Sequence, residues 1–245
     1  MTSTAPLAVS LTGTARTGDL PLFGPLSLTL EAGAWTCLLG ASGAGKTTIL
    51  RLIAGLETGV DFDGRIDAAD GAPLDGRIAL MAQTDLLMPW LDVTGNVLLG
   101  HRLRGGAKAE ATDRARDLIE RVGLADHSDK RPHALSGGMR QRAALARTLM
   151  EDRPLVLLDE PFSALDARTR AEMQELAFEL LEGRTVLLVT HDPAEAARLG
   201  HAIHVLDGGA LILIAPPDAP PIRAYDDPAV FACQNAMMAL LRRAA

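Results

Sequence analysis

Aromatic residues are scarce in this chain of 245 residues, which has two tryptophans, one tyrosine and five phenylalanines. A hydrophobic core must therefore be built mainly from leucine, valine, isoleucine and alanine. Hydrophobic residues make up 48% of the chain and charged residues 22%. This balance argues against wholesale disorder, because disordered chains have too few apolar residues to offset the entropy that is lost on folding.

Positive charge is also in short supply. The formal net charge is −7, and only three lysines occur in the chain. Domains that bind nucleic acid usually carry a basic surplus, which neutralises the phosphates. The composition therefore predicts no nucleic-acid partner.

Cysteine is equally sparse, with only Cys37 and Cys233, which are far apart in the sequence. Cys37 lies in an apolar run, so a buried thiol is the favoured interpretation. Two unpaired, distant cysteines are typical of a protein from a reducing compartment.

Long hydrophobic runs and a targeting segment are missing as well. The first residues, MTSTAPLAVS, have neither a charged start nor a sustained apolar stretch, so we expect no signal peptide. No apolar run approaches the roughly 20 residues that a membrane-spanning helix needs. If this protein works at a membrane, we expect another chain to supply the membrane part.

Short apolar runs predict buried parallel strands. They are Trp35 to Leu39, Arg77 to Ala82, Leu155 to Leu158, Thr185 to Thr190 and Ala202 to Leu206. Helical patterns lie between most of these runs: about Ala107 to Val122, about Ala167 to Leu181, and Pro193 to Gly200 with Asp192 as the N-cap. Alternating strands and helices predict an α/β domain with a parallel sheet.

One interval breaks this alternation, because residues 85–152 predict helices and loops but no strand. Four prolines between Pro216 and Pro221 indicate a stiff connector, followed by a helix from Pro228 to about Arg243. We therefore predict a single domain over residues 1–245. Its parts are a sheet core (about 1–84 and 153–215), an inserted helical subdomain (about 85–152) and a C-terminal connector and helix (about 216–245).

The segment GASGAGKT, from Gly40 to Thr47, follows a predicted strand and precedes a helical pattern. A phosphate-binding loop needs this context, because its glycines let the backbone N–H groups converge on phosphate oxygens at a helix N-terminus. Lys46 could reach the β- and γ-phosphates, and the Thr47 hydroxyl could bind Mg²⁺. The nucleotide-binding residues predicted here are Gly40, Ala41, Ser42, Gly43, Ala44, Gly45, Lys46, Thr47 and Thr48. The alternative is a glycine-rich turn that only looks like this loop.

The segment LVLLDE, from Leu155 to Glu160, predicts a buried strand that ends in two acidic residues. Ligands bind at the carboxyl ends of strands in open α/β sheets. Asp159 is predicted to hold Mg²⁺, and Glu160 to polarise the attacking water, because phosphoryl transfer needs mainly positioning and charge. The alternative is a strand end that happens to be acidic.

The segment LSGGMRQR, from Leu135 to Arg142, predicts a second helix start suited to an anion. Ser136 is expected to be the N-cap, with exposed backbone amides at Gly137 and Gly138. Together with the LVLLDE strand just downstream, this segment resembles the signature of the ABC ATPase family. The resemblance covers nearly the whole chain. It implies a RecA-like P-loop NTPase fold, in which a parallel-sheet core has an antiparallel β edge and an inserted helical subdomain.

The resemblance also assigns roles to isolated residues. Gln83 is similar to the Q-loop glutamine, Ser163–Asp166 to the D-loop, and His191 to the switch histidine that contacts the γ-phosphate. The implied catalytic residues are Glu160, His191, Lys46 and Gln83, and the implied metal ligands are Thr47, Gln83 and Asp159. ATP and Mg²⁺ are the implied cofactors. In such a family, Ser136, Gly137, Gly138 and Asp166 of one chain close on the ATP that is bound to a second copy.

One feature departs from the family pattern. An aromatic residue that stacks on adenine is expected near Ala15 to Thr17, and none of these residues is aromatic. Phe23 lies too close to the phosphate loop for this role, and Trp35 belongs to the strand that leads into the loop. We therefore expect weaker nucleotide affinity or base selectivity.

The residues after Gln83, especially Leu87 to Leu91 with Trp90, and Val93 to Val97, resemble those of the nitrate, sulfonate and taurine importer ATPases. ATPases of thiamine-precursor importers are similar. The resemblance implies a permease that docks here, a solute-binding protein as an indirect partner, and a location at the cytoplasmic face of the membrane. Trp90 could instead simply pack in the interior. A soluble ABC ATPase, such as one for cluster assembly, is the alternative function.

Overall fold

A computed structural model of the chain describes residues 5–105 and 108–242. Its strands are β1 (Val9–Thr17), β2 (Leu20–Leu30), β3 (Trp35–Gly40), β4 (Asp61–Ala68), β5 (Ile78–Met81), β6 (Leu155–Asp159), β7 (Thr185–Val189), β8 (Ala202–Asp207) and β9 (Ala210–Ile214). Its α-helices are α1 (Lys46–Ile53), α2 (Val93–Val97), α3 (Leu99–Leu103), α4 (Lys108–Arg121), α5 (Gly137–Met150), α6 (Ala167–Leu180), α7 (Pro193–Leu199) and α8 (Pro228–Leu241).

The chain divides into two compact units. The first is formed by the described residues of Met1–Ile78, Pro154–Glu160 and Gly183–Ala245, and the second by those of Ala79–Arg153 and Pro161–Glu182. Within the part of the chain that is described, no helix is both long enough and apolar enough to cross a membrane.

The first unit contains the predicted parallel sheet, with the strand order β6-β7-β3-β8-β9. The pairs from β6 to β8 are parallel, and β9 pairs antiparallel with β8. Every residue of β3, β6 and β7 is buried, which confirms the interpretation of these apolar runs. Because the strands are parallel, the loops after Gly40, Asp159 and Val189 all leave the same edge of the sheet.

A second, antiparallel sheet in this unit has the order β2-β1-β4. In it, Ala15 pairs with Phe23, and both side chains are buried.

Cys37 and Cys233 are both buried free thiols. Burial raises the pKa of the Cys37 thiol far above its usual value.

The second unit is mainly helical, and Ala79–Met81 of β5 are its strand residues. The described residues between Asp85 and Asp152 contain helices and turns but no strand, as predicted. The predicted starting point of α4, Ala107, and the predicted end of α8, Arg243, lie outside the described residues.

Residues 161–182, which the sequence prediction placed with the sheet core, belong to the second unit. Two contacts join these residues to the rest of the second unit. The Arg121 guanidinium lies 2.8 Å from the Glu179 carboxylate, and the backbone N–H of Ala164 donates to Gln141 Oε1 at 2.8 Å. Whether the whole chain forms a single domain stays a prediction.

Candidate nucleotide-binding site

The loop between β3 and α1 has a backbone that requires its glycines. Gly43 and Gly45 have φ angles of 79° and 104°, which residues with a Cβ atom rarely adopt. A Cβ atom on Gly40 would lie 2.6 Å from the Leu206 carbonyl oxygen. Gly45 is the N-cap of α1 and has no side chain that could bond to the first amides. These amides and the helix dipole can therefore attract an anion.

Lys46 is the first residue of α1, and only 7% of it is exposed. Its ammonium group donates to the carbonyl oxygens of Gly40 at 2.8 Å and Ala41 at 2.9 Å. Burial lowers the pKa of Lys46, while the nearby carboxylates of Glu160 and Asp159 oppose this shift. The Lys46 ammonium group is thus held by the backbone of the loop that is predicted to bind phosphate.

Thr47 and Asp159 meet at the carboxyl end of β6. The Thr47 hydroxyl donates to Asp159 Oδ2 at 2.9 Å. Burial, followed by the charge of Glu160, raises the pKa of Asp159, whereas the hydrogen bond from Thr47 and the charge of Lys46 lower it. The second carboxylate oxygen, Oδ1, is buried and has no hydrogen-bond partner among the described residues. An unsatisfied buried carboxylate oxygen beside a hydroxyl suits a hard cation, so these residues fit the predicted Mg²⁺.

Glu160 contacts His191, although the two residues come from different motifs. Glu160 has a φ angle of 50°, which is unusual outside glycine and often marks a functional position. Its backbone N–H donates to the Val189 carbonyl oxygen at 2.8 Å, which links it to the end of β7. Glu160 Oε2 lies 3.2 Å from His191 Nδ1, and the two side chains are 16% and 61% exposed. Both are therefore accessible from solvent beside the phosphate loop and Asp159.

The signature segment lies in the second unit. Ser136 is the N-cap of α5 and accepts a hydrogen bond from the backbone N–H of Met139 at 3.2 Å, as the sequence predicted. A Cβ atom on Gly138 would lie 3.3 Å from the Ala164 carbonyl oxygen, so the start of α5 runs close to the predicted D-loop. Gln141 links the two segments, because its amide group bonds to the Ala164 backbone and to the Ser163 hydroxyl. Sequence reasoning missed Gln141, whose only signal is its position one turn into the signature helix.

Asp166 and Gln83 also lie in the second unit. Asp166 is the N-cap of α6, and its carboxylate accepts from the Thr169 backbone at 3.0 Å and the Thr169 hydroxyl at 2.8 Å. These hydrogen bonds lower the pKa of Asp166. Gln83 is exposed and lies two residues beyond the end of β5. That Asp166 and Gln83 contact nucleotide stays a prediction.

Trp90 is 67% exposed, which contradicts the alternative that it packs in the interior. The segment that carries it is fixed by Asn96, which is fully buried. Asn96 accepts from the backbone N–H of Met88 at 2.7 Å and donates to the carbonyl oxygens of Met88, Leu91 and Asp92. Sequence reasoning missed Asn96, because no local pattern marks an amide that bonds to its own preceding loop.

The positions at which an adenine-stacking aromatic residue is expected, Ala15 to Thr17, hold other residue types. Ala15 is fully buried, and Arg16 is exposed and donates to the Asp19 carbonyl oxygen at 2.7 Å. Phe23 is only 2% exposed, and a Cβ atom on Gly45 would lie 3.3 Å from its ring. Phe23 therefore packs beneath the phosphate loop rather than presenting its ring to a base.

Comparisons with known proteins identify relatives of this chain. Residues 23–163 match the family described as ABC transporter. An uncharacterized ABC transporter ATP-binding protein of Haemophilus influenzae is 51% identical over 185 residues, which is 76% of this chain and 75% of that protein. The aliphatic sulfonates import ATP-binding protein SsuB 2 of Agrobacterium fabrum is 46% identical, over 77% of this chain and 71% of its own length. The taurine import ATP-binding protein TauB of Pseudomonas aeruginosa is 42% identical, over 82% of this chain and 77% of its own length.

A solved structure described as the ATP-binding subunit of an ABC transporter is similar in fold. The TM-score is 0.74, and the match covers 83% of this chain and 87% of that one. At 24% sequence identity, this similarity shows the fold alone. It confirms the predicted fold class.

Proposed function

The chain belongs to the ABC transporter family, and on this basis we propose that it is the ATP-binding and ATP-hydrolysing subunit of an importer. The observation that carries this proposal is the grouping of Lys46, Thr47, Asp159, Glu160 and His191 at one edge of the parallel sheet. A loop for phosphate, a site for a cation and an acid–imidazole pair are the parts that ATP hydrolysis needs.

In the proposed reaction, Lys46 and the first amides of α1 bind the β- and γ-phosphates. Glu160 orients and polarises the attacking water, and His191 contacts the γ-phosphate. Thr47 and Asp159 are the residues that would hold Mg²⁺, which would neutralise charge on the phosphates when it is bound. Hydrolysis would then depend on positioning and charge, with no covalent bond to the protein.

We propose that two copies of the chain share each ATP. Ser136 and the amides of Gly137 and Gly138 form a second helix start suited to an anion, whereas the chain has a single phosphate loop. A two-fold dimer accounts for both, because each signature segment then closes on the nucleotide of the other copy.

Replacing Ser136 with arginine is expected to lower the rate of ATP hydrolysis by about 10²-fold or more. A bulky cation would block the anion site that the start of α5 provides. Binding of ATP to the same chain should persist, since its own Lys46 loop is intact. Steady-state turnover and nucleotide titration of the purified variant measure the two effects. Loss of ATP binding in proportion to turnover would contradict a role across the dimer.

Mixing two inactive variants provides the matched control. A dimer that pairs Ser136→Arg with Lys46→Ala has one site with an intact loop and an intact signature, provided that the signature acts across the dimer. An equal mixture should recover about a quarter of normal turnover, because half of the dimers are mixed and each has one good site. If both residues act within one chain, the mixture stays as inactive as its components.

Nucleotide selectivity is expected to be weak. Because no aromatic side chain occupies the expected stacking position, GTP should bind with an affinity within about tenfold of that of ATP, as a stacking contact contributes only about 0.5–1.5 kcal/mol. Competition titrations with both nucleotides on the same preparation measure this ratio. Tight and strongly adenine-selective binding would show that another group replaces the stack.

We propose that the segment around Trp90 docks a permease in the membrane, with a solute-binding protein as an indirect partner. A large exposed apolar side chain held on a rigid loop supports a contact of this kind. The chain would then be peripheral, at the cytoplasmic face of the membrane. Relatives named for aliphatic sulfonate and taurine import support a small polar solute as cargo, which could also be nitrate or a thiamine-precursor pyrimidine.

Removal of Trp90 is expected to weaken the complex with the permease. In a pull-down from detergent-solubilised native membranes, Trp90→Ala should retain about tenfold less permease than the unchanged chain, since buried tryptophans often dominate interfaces. Leu213→Ala is the control, because Leu213 is 68% exposed in β9 of the first unit. ATP turnover of the isolated variant should be unchanged. Capture of soluble assembly proteins alone would reject transport and favour the cluster-assembly alternative.

A further inference from the structure

Two buried polar residues, Thr190 and Glu195, are close in sequence to the exposed His191. Thr190 is 2% exposed and Glu195 5%. The Thr190 hydroxyl donates to Glu195 Oε2 at 2.7 Å, and it also accepts from the backbone N–H of Asp192 at 3.0 Å. The Thr190 hydroxyl therefore connects the Glu195 carboxylate on α7 to the backbone N–H of Asp192, the residue that follows His191.

The backbone on both sides of His191 is fixed by these contacts. Before it, the Thr190 backbone N–H donates to the Leu38 carbonyl oxygen of β3 at 3.2 Å. After it, the Asp192 side chain accepts from the Ala194 backbone N–H at 2.8 Å and caps α7. His191 is thus held between a strand of the sheet and the start of a helix.

The His191 side chain has much less support of its own. It is 61% exposed, and its imidazole meets the Glu160 carboxylate at 3.2 Å. The place of the imidazole therefore depends on where the backbone of residues 190–192 holds it. Errors of about 1 Å in such a position can lower catalytic rates by about 10²-fold.

We propose that Thr190 and Glu195 are positioning residues, which hold the backbone of His191 so that its imidazole stays beside Glu160. The inference rests on the proposed role of His191 in ATP hydrolysis. The hydroxyl of Thr190 is the central atom, because it bonds at the same time to the Glu195 carboxylate and to the Asp192 amide. Neither residue needs to touch the nucleotide, and their effect passes through His191.

Replacing Thr190 with valine tests this role, because valine has nearly the same shape but no hydroxyl. We expect kcat for ATP to fall about tenfold in Thr190→Val, with KM changed by less than about twofold. Thr190→Ser keeps the hydroxyl and should restore kcat to near its original value. A purely structural role predicts a lower Tm with kcat unchanged in the folded fraction. That result would overturn the proposal.

The same substitution in a His191→Ala background separates positioning from an independent effect. If Thr190 acts through His191, single-turnover hydrolysis by the double variant should equal that of His191→Ala alone, because nothing remains to be positioned. A further tenfold loss in the double variant would overturn this inference and leave the proposed function intact. Unchanged turnover in His191→Ala itself would overturn this inference and the proposed role of His191, whereas failure of the unchanged chain to hydrolyse ATP would overturn the proposed function. Should Thr190→Val fail to fold, Thr190→Ala removes the same hydroxyl and supplies the comparison.

Discussion

Replacing Glu160 with glutamine is expected to lower kcat for ATP hydrolysis by about 10²- to 10⁴-fold, the range of a lost general base. Glutamine has nearly the same size but cannot carry the negative charge that we propose polarises the attacking water. Binding of ATP should persist, because the contacts of Lys46 and the loop amides do not involve this carboxylate. A rapid-quench assay of phosphate release, with nucleotide titration of the same preparation, measures both effects.

The same variant should accumulate as a closed dimer in ATP, because the bound nucleotide is no longer consumed. Size-exclusion chromatography with light scattering, with and without ATP, reports the change in mass. Glu57→Gln is the matched control, since Glu57 is exposed in the same unit and loses the same charge. Hydrolysis at the normal rate by Glu160→Gln would contradict the role assigned to Glu160.

Replacing Lys46 with alanine is expected to have a comparable effect for a different reason. The variant should lose the proposed charge-assisted hydrogen bonds to the β- and γ-phosphates, which is expected to lower kcat/KM for ATP by about 10²-fold or more. It also loses the bonds from the ammonium group to the carbonyl oxygens of Gly40 and Ala41, so the loop itself is less well held. Isothermal titration with ATP and a turnover assay measure the two losses.

Lys130→Ala is the control for this variant, because Lys130 is exposed and its loss changes the net charge by the same amount. Its ATP affinity should match that of the unchanged chain. Thermal unfolding of both variants shows whether any loss reflects folding. Normal ATP affinity in a folded Lys46→Ala protein would contradict the assignment of the phosphate loop.

The parallel core could be predicted from the sequence because its signals are local. Strands such as β3 and β6 are continuous apolar runs that only a doubly covered sheet can bury, and helices such as α7 begin with an Asp cap and a proline. Both patterns depend on neighbouring residues alone. These patterns can therefore be recognised without knowledge of the tertiary structure.

The resemblance implies an antiparallel edge, but no local pattern in the sequence marks its individual strands. In β2, exposed and buried residues alternate irregularly around Gly24, and β4 has a single buried residue, Ala68. Glycine and proline inside a strand weaken the pattern that marks it. Pairing with β1 determines these strands, and a partner that is distant in sequence gives no local signal.

The residues of the candidate site also differ in whether a local sequence pattern marks them. Motifs of adjacent residues, such as the phosphate loop and the Asp159–Glu160 pair, can be located in the sequence alone, and their roles stay predictions. The contact between Glu160 and His191 follows only from the resemblance and the parallel order of β6 and β7. The bridge from Thr190 to Glu195 left no trace in the sequence, because threonine and glutamate are common at the starts of helices.

We propose that the triphosphate held by one chain is completed by the signature segment of a second copy. A structure of the Glu160→Gln variant, purified at full length and saturated with ATP and Mg²⁺, tests it most directly. We expect two nucleotides in a two-fold dimer, each with its γ-phosphate about 3 Å from the Ser136 hydroxyl of the other copy. A nucleotide-bound structure in which this hydroxyl remains bonded only to its own helix and faces solvent would contradict the claim.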